Sequence, residues 1–249
     1  MSRLAGKIAL ITGGSSGIGF ATAKRFAEEG AYVFITGRDG AKLENAAKKI
    51  GDKVTPVLSD VASLSDLDRL FEKIKAEKGK LDIVFANAGI ARYAVFGTID
   101  ENHFDDIFNT NVKGLLFTVQ KALPLLVDGA SVILNGSVVG SKGMSSNSVY
   151  SATKAAVRSF ARTWTTDLKS RKIRVNVISP GPIDTEGLRE LFSSSEAGQE
   201  RLKNISATVP LGRVGKPEEI ANAAVFLGSD ESSFISGIEL FVDGGFAQV

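Results

Sequence analysis

The sequence predicts an α/β fold in which helices cover both faces of a doubly wound parallel sheet. The first observation is a series of short apolar runs rich in β-branched residues, which is typical of strands buried on both faces. The second is helical periodicity between most of these runs, as in Ile18, Ala21, Thr22 and Phe26, followed by a helix-stopping Gly30. The predicted strands are residues 8–12, 32–36, 54–58, 81–86, 131–134, 173–178 and 238–242.

Length and composition indicate one domain over residues 1–249. A single α/β domain reaches about this size, and no linker rich in Pro, Gly or Ser divides the chain. The net charge is only +2, with Lys and Arg scattered, which argues against a nucleic-acid partner. The absence of Cys and the single His103 exclude a disulfide framework, a thiolate nucleophile and a His/Cys metal site.

The sequence also lacks the patterns of a membrane or exported protein. Its apolar stretches are far shorter than the roughly 18 residues that a membrane span needs. Residues 1–6 lack the apolar core of a signal peptide. We therefore expect a cytoplasmic protein whose partners are small molecules, with no membrane partner.

Residues 185–213 interrupt the alternation of strand and helix. The segment is polar and follows the sixth predicted strand. It is either a solvated surface excursion or a substrate lid, and we favour the lid because long irregular segments in compact domains are usually functional.

A glycine-rich turn joins the first predicted strand to the first helix. Gly13 permits a sharp exit from the strand, Gly17 allows backbone to approach a pyrophosphate, and Gly19 allows close helix–strand packing. A glycine cluster alone is weak evidence, but its place between strand and helix predicts a dinucleotide phosphate site. Between these glycines, we also predict cofactor contacts for Ser15, Ser16 and Ile18.

The end of the second predicted strand indicates which dinucleotide binds. An NAD site usually has an acidic residue here, whereas this strand ends with Gly37 and Arg38. The Arg38 guanidinium can pair with a 2′-phosphate, so NADP(H) is preferred and NAD(H) stays possible. Two alternatives remain: Arg38 is simply solvated, or Asp39 turns inward.

Polar and small residues follow two further strands. Asp60 and Val61 suit the adenine amine and ring, and Asn87, Ala88 and Gly89 follow the fourth strand. Each group alone is ordinary turn chemistry. Ligands of open α/β sheets bind at the carboxyl ends of strands, so we predict that all five residues contact the cofactor.

Asn111 falls on the inward stripe of a predicted helix. A buried amide must be hydrogen-bonded, so Asn111 is structural, catalytic or both. The apolar and small members of that stripe are Phe104, Ile107, Phe108, Leu115 and Thr118.

The predicted chemistry resides in Ser137, Tyr150 and Lys154. Tyr150 and Lys154 are four residues apart and share one helix face, while Ser137 closes the fifth predicted strand. A phenol titrates near pH 10, and a nearby ammonium would lower that value and make it a usable proton donor. An isolated Tyr/Lys pair of this spacing is usually a surface pair, so the prediction depends on the other motifs.

Together these motifs resemble the short-chain dehydrogenase/reductase family over essentially the whole chain. The resemblance implies a single Rossmann-type domain with a seven-stranded parallel sheet, assembled as a homotetramer. The matching positions are Thr12, Gly13, Gly17, Gly19, Asn87, Ala88, Gly89, Asn111, Ser137, Tyr150, Lys154, Pro180 and Gly181.

The resemblance also implies a role for each residue. Tyr150 would donate a proton to a ketone oxygen, which Ser137 would polarise. Lys154 would hold the ribose hydroxyls and lower the pKa of Tyr150, and Asn111 would position a water in a proton relay. Segment 180–185 would contact the nicotinamide through Pro180, Gly181, Ile183 and Thr185.

Two positions depart from the family pattern without removing a catalytic group. Ala86 stands before Asn87 and Gly136 before Ser137, where a second asparagine and a second serine are common. Within the family, residues 117–126, 162–166 and 237–245 resemble bacterial NADPH-dependent alcohol dehydrogenases that accept bulky secondary alcohols and ketones.

The substrate stays open at this stage. The leading prediction is a carbonyl reductase or secondary-alcohol dehydrogenase, with an expected pocket at 91–96 and 138–146 that includes Tyr93, Phe96 and Met144. A 3-oxoacyl thioester reductase would need a basic patch for its carrier, for which Arg92 and Lys142 are candidates. Sugar dehydrogenation is a further alternative, and a non-catalytic dinucleotide sensor is a remote one.

Overall fold

The computed structural model of the chain describes residues 2–192 and 204–249. In these residues seven strands form one sheet of order β3-β2-β1-β4-β5-β6-β7, and every neighbouring pair is parallel. The predicted fold class is confirmed. The strands are β1 (Ile8–Ile11), β2 (Tyr32–Gly37), β3 (Val54–Leu58), β4 (Leu81–Ala86), β5 (Leu126–Asn135), β6 (Arg174–Pro180) and β7 (Glu239–Val242).

Helices connect the strands as the alternating pattern predicts. A π-helix, Asn109–Gly114, lies between α4 and α5, and 204–208 is also helical. The α-helices are α1 (Gly17–Glu28), α2 (Gly40–Ile50), α3 (Leu64–Glu77), α4 (Glu101–Phe108), α5 (Leu115–Ala122), α6 (Ser148–Asp167), α7 (Glu186–Phe192) and α8 (Pro217–Gly228).

Local sequence explains where several helices begin. The side chains of Asp39, Ser63 and Asp100 each accept a hydrogen bond from the backbone N–H three residues later. Such caps satisfy N–H groups that have no partner within the helix. At the start of α1 the side chain of Ser16 forms no such bond, and the first turn contains no acidic residue.

The core has two halves, one on each face of the sheet. Leu10 of β1 faces α3, α5 and α6, whereas its neighbours Ala9 and Ile11 face α1, α2 and α8. This alternation follows from the two-residue period of a strand. Apolar residues on both faces of the central strands explain why the strands read as continuous apolar runs.

The strand order reverses between β1 and β4, and this point determines where a ligand can bind. From β1 the chain winds outward to β3, then returns so that β4 pairs with the other edge of β1. The connections on the two sides diverge and leave a crevice at the carboxyl ends of these strands. In 2–192 and 204–249, no helix is both long and apolar enough to cross a membrane.

Two details differ from the prediction. Strand β5 begins at Leu126, five residues before the predicted start, with a register shift in its pairing with β4. Phe104 is 44% exposed instead of inward, and it stacks on Phe108 with ring centroids 4.3 Å apart. The physical reason is the π-helix, whose wider turns interrupt the 3.6-residue period on which the inward stripe was based.

Candidate active site

A cleft of about 840 Å³ lies at the carboxyl ends of the strands. Ser137, Tyr150 and Lys154 line it, as do all the residues predicted to bind the cofactor; Asn111 does not. The structure therefore brings nearly all of the predicted site into one cavity. The predicted cofactor residues in this lining are Gly13, Ser15, Ser16, Gly17, Ile18, Gly19, Arg38, Asp60, Val61, Asn87, Ala88, Gly89, Tyr150, Lys154, Pro180, Gly181, Ile183 and Thr185.

The glycine turn forms a cradle that side chains would fill. Gly13 and Gly17 have φ values of +67° and +51°, in the left-handed region that favours glycine. A Cβ atom on Gly19 would lie 2.0 Å from the Gly13 carbonyl oxygen. The start of α1 carries N–H groups and no carboxylate, so this cradle fits the pyrophosphate of a dinucleotide.

At the end of β2 the side chain of Asp39 caps α2, whereas Arg38 lines the cleft. Asp39 Oδ1 accepts the Lys42 N–H at 3.0 Å and caps α2, so its side chain is used by the helix. Arg38 is exposed, lines the cleft and forms no ion pair with any residue of the described segments. This guanidinium is therefore available to an anionic ligand.

Asn87 holds the ends of three strands together. Its Nδ2 donates to the carbonyl oxygen of Thr12 at 2.9 Å, and its Oδ1 accepts from Asn135 Nδ2 at 3.0 Å. The Thr12 hydroxyl accepts the N–H groups of Asn87 and Ala88, each at 3.0 Å. These bonds connect β1, β4 and β5 and fix the floor of the cleft.

Asp60 and Val61 line the cleft shortly after the end of β3, and their contact with adenine stays a prediction. Asp60 Oδ1 accepts the Ala62 N–H at 2.9 Å, and Val61 is buried. A Cβ on Gly114 would lie 2.9 Å from Val61, so the π-helix packs closely against this wall.

Asn111 lies behind the lining, in the π-helix. Its Oδ1 accepts the Ile90 N–H at 2.8 Å, while its Nδ2 donates to the Ile90 carbonyl at 2.9 Å and to Thr153 Oγ1 at 3.2 Å. The buried amide thus fixes the loop after β4 against α6, which is the structural role considered from the sequence. Its participation in a proton relay stays a prediction.

Ser137 and Tyr150 both line the cleft, and the Ser137 hydroxyl is close enough to the Tyr150 phenol to influence its pKa. Ser137 lies two residues after the end of β5 and caps a short 3₁₀ turn, and Tyr150 lies in the first turn of α6. Burial raises the pKa of the Tyr150 phenol above 10.0, nearby Tyr93 raises it further, and the Ser137 hydroxyl opposes this rise. A protonated phenol and a hydroxyl therefore point at one region of the cleft.

Lys154 is buried one turn after Tyr150 on α6. Its Nζ donates to the Asn135 carbonyl oxygen at 2.8 Å and lies 5.5 Å from the centre of the Tyr150 ring. Burial lowers the pKa of this ammonium from 10.5 to about 8.

The expectation that Lys154 lowers the pKa of Tyr150 is wrong for the chain without ligand. The pKa of Tyr150 is raised instead, because desolvation of the phenolate exceeds the opposing effects. The ammonium is bonded to Asn135 and is itself desolvated.

Because the Lys154 ammonium is buried, we expect the free energy of unfolding of the cofactor-free protein to depend on pH. Below pH 8 Lys154 is charged in both folded and unfolded chains; between pH 8 and 10.5 the folded chain has lost a proton that the unfolded chain retains. The free energy of unfolding should therefore rise between pH 8 and 9.5, by roughly 1 to 2 kcal/mol more in the wild type than in Lys154→Met. Urea unfolding at both pH values measures it, and parallel changes in the two proteins would contradict the assignment.

In the described part of the predicted lid, 186–192 and 204–208 are helical, and residues of both segments border the cleft. Helix α7 begins one residue after Thr185, and Gly187, Leu188 and Ile205 line the cavity beside it. The expectation of an irregular segment is wrong for these residues, because α7 is a regular helix. Residues 193–203 of the prediction lie outside the described residues.

The predicted substrate wall is correct in part. Tyr93 and Met144 line the cleft, but Phe96 is 88% exposed and borders a smaller adjoining depression. A different phenylalanine, Phe246, lines the cleft and packs with Val138 and Val139. Sequence reasoning missed Phe246 because it lies in the segment after β7, and no local pattern connects that segment to Ser137.

Lys142 and Arg92, the two candidate basic residues, are both engaged. Lys142 Nζ donates to the Phe246 carbonyl oxygen at 2.6 Å and lies over its ring. Arg92 forms an ion pair with Asp106. The described part of the chain holds no group of three His, Asp or Glu side chains suited to a metal ion.

The surroundings of Gly136 show why the departure from the family pattern before Ser137 is tolerated. A Cβ at this position would lie 2.5 Å from Ser179 Oγ and 2.5 Å from Val177 Cγ1. Ser179 itself donates to Glu239 Oε1 at 2.6 Å. Strand β6 therefore occupies the space of a side chain at position 136, and only Ser137 faces Tyr150.

Comparisons with known proteins agree with this geometry. The family described as Enoyl-(Acyl carrier protein) reductase matches residues 13–247. Oxidoreductase asL5 from Sarocladium schorii is 48% identical, over 100% of this chain and 99% of its own. The 3-oxoacyl-(acyl-carrier-protein) reductase FabG from Escherichia coli is 38% identical, over 98% of each chain.

The structural comparison gives the same family. A solved structure described as a short chain dehydrogenase/reductase family protein superposes with a TM-score of 0.89 and 38% sequence identity. The match covers 99% of this chain and 100% of that one. The chain is therefore an oxidoreductase that belongs to the short-chain dehydrogenase/reductase family.

Proposed function

We propose that the protein is an NADP(H)-dependent oxidoreductase that interconverts ketones and secondary alcohols. The observation that carries the proposal is that Ser137, Tyr150 and buried Lys154 line one cleft together with a glycine cradle. A proton donor and a polarising hydroxyl are what carbonyl reduction requires of the protein.

In this proposal Tyr150 transfers the proton, and Ser137 orients and polarises the carbonyl group. A bound nicotinamide dinucleotide supplies or accepts the hydride. The Tyr150 hydroxyl gives its proton to the carbonyl oxygen as charge develops there, and the Ser137 hydroxyl donates a second hydrogen bond to that oxygen. The burial that keeps Tyr150 protonated suits it to act as an acid. The proposed relay through Lys154 and Asn111 would restore its proton.

Arg38 supports NADP(H) over NAD(H). Asp39 caps α2 and does not line the cleft, and Gly37 has no side chain, so no carboxylate at the end of β2 lines the cleft beside Arg38. Arg38→Ala should raise the Kd for NADPH about 10- to 30-fold and that for NADH less than about twofold, because a charge-assisted bond to phosphate is lost.

Fluorescence titration with both cofactors measures this selectivity. Lys42→Ala is the matched control, since Lys42 is an exposed cation of α2 that does not line the cleft. Equal weakening of NADPH and NADH by Arg38→Ala would contradict the role of Arg38. A similar loss in Lys42→Ala would indicate general electrostatic attraction instead.

A 3-oxoacyl thioester reductase is the second candidate, and the FabG relatives favour it. Against it, the two candidate cations near the cleft are engaged, Arg92 with Asp106 and Lys142 with Phe246. Both activities use the same proton donor, so they differ in substrate recognition and not in mechanism.

The test is NADPH consumption by the purified protein with small, aryl, bulky bicyclic and 3-oxoacyl carbonyl compounds. We expect ketones to be reduced and the reverse reaction to oxidise secondary alcohols. Reduction confined to carrier-bound 3-oxoacyl thioesters would favour the second candidate. Tight NADPH binding without reduction or oxidation of any compound would overturn the proposed function. The homotetramer expected from the family stays a prediction, which light scattering tests.

A further inference from the structure

Asn147 has a buried side-chain amide that forms no hydrogen bond to the rest of the described protein. It is 4% exposed and lines the cleft three residues before Tyr150. Its Oδ1 has no hydrogen-bond partner, and its side chain forms no bond to another described residue. A buried amide left without partners is destabilising, and in native proteins it calls for an explanation.

The usual structural role of asparagine at this position is absent. Asn147 is the N-cap residue of α6, where an asparagine side chain commonly accepts a bond from the first turn. No such bond is formed. The other two buried asparagines of the described residues, Asn111 and Asn176, have both ends of their amides bonded to the protein.

The backbone around Asn147 is strained in a way that fixes its place. Ser146 has a φ of +61°, in the left-handed region that residues other than glycine rarely adopt. Its carbonyl oxygen accepts the Ala94 N–H at 3.0 Å, which ties this loop to the one after β4. The loop therefore holds Asn147 at the wall of the cleft instead of releasing it to solvent.

The position of Asn147 identifies the substrate end of the cleft. Asn147 also borders the adjoining depression, together with Val95, Phe96 and Met144. The phosphate cradle at Gly13 to Gly19 belongs to α1, whereas Asn147 belongs to the helix that carries Tyr150. A group that meets Asn147 is therefore a part of the substrate near the reacting carbonyl.

We infer that Asn147 recognises a second oxygen substituent on the substrate, two carbons from the carbonyl that is reduced. An amide offers an NH₂ donor and a carbonyl acceptor, which exchange places by rotation about χ2. The donor suits a keto or ester oxygen, and the acceptor suits a hydroxyl. This inference rests on the proposed function and narrows its substrates to ketones that carry such an oxygen.

The test compares three ketones of equal chain length: 2-heptanone, ethyl 3-oxobutanoate and 4-hydroxy-2-heptanone. Each is reduced with NADPH by the wild type, Asn147→Leu and Asn147→Asp. The ratio of mutant to wild-type kcat/KM for each ketone cancels its intrinsic reactivity. Asn45→Leu is the control, since Asn45 is exposed on α2.

Asn147→Leu should lower kcat/KM at least 10-fold for an oxygen-bearing ketone and less than threefold for 2-heptanone. Asn147→Asp keeps an acceptor and loses the donor, so of the two oxygen-bearing ketones it should spare 4-hydroxy-2-heptanone if the hydroxyl is the recognised group. Equal losses for all three ketones, or no loss, would overturn the inference and leave the proposed function standing. No reduction of any ketone by the wild type would overturn both.

Discussion

Tyr150→Phe should lower kcat about 1,000-fold while the Kd for NADPH changes less than about threefold. The substitution removes one oxygen atom and keeps the ring, which packs with Val138, Val139 and Phe246. Without the phenol, the developing oxyanion receives a hydrogen bond from Ser137 but no proton. Steady-state reduction with NADPH, together with cofactor titration, measures both quantities.

Tyr32→Phe is the control for this result. Tyr32 of β2 also uses its hydroxyl in a hydrogen bond, to Thr55 at 2.6 Å, but it does not line the cleft. It should retain nearly full activity. Adding Ser137→Ala to Tyr150→Phe should cost much less than Ser137→Ala alone, because residues that act as a unit are not additive. A kcat within tenfold of wild type in Tyr150→Phe would disprove its role as proton donor.

The parts of the cleft that the sequence predicts are those that directly follow strands. Arg38, Asp60, Asn87 and Ser137 each follow a strand within two residues, and parallel strands of one sheet end at the same edge. Their proximity therefore follows from the alternation of strand and helix alone. Tyr150 and Lys154 were predictable as a pair because four residues span about one helical turn.

The remaining parts depend on contacts that have no local pattern. The π-helix at Asn109–Gly114 changes the face that Phe104 presents, and its residues resemble those of an ordinary helix. The direction of the Tyr150 pKa shift depends on burial, to which Phe246 contributes from a distant segment. Asn147 is notable only for the bonds that it does not form, which require the fold to be known.

Gly19→Ala should impair both folding and cofactor binding. The new Cβ would lie 2.0 Å from the Gly13 carbonyl oxygen and 2.7 Å from Asn87 Nδ2. Neither atom can move freely, because Asn87 ties the turn to β1 and β5. The turn and α1 must therefore separate, which we expect to lower the free energy of unfolding by about 3 kcal/mol. The Kd for NADPH should rise about 100-fold, since the cradle and the helix N-terminus no longer meet the phosphates together.

Gly40→Ala is the matched control for this change. Gly40 is the first residue of α2, its φ is not positive, and a Cβ there would meet nothing closer than 3.9 Å. It should be neutral or slightly stabilising, because alanine loses less conformational entropy on folding. Urea unfolding and NADPH titration of both variants complete the test. If Gly19→Ala binds NADPH as tightly as Gly40→Ala does, the close packing of Gly19 against the Gly13 carbonyl oxygen is not needed for the phosphate site. The cradle must then be assigned to other residues of the turn.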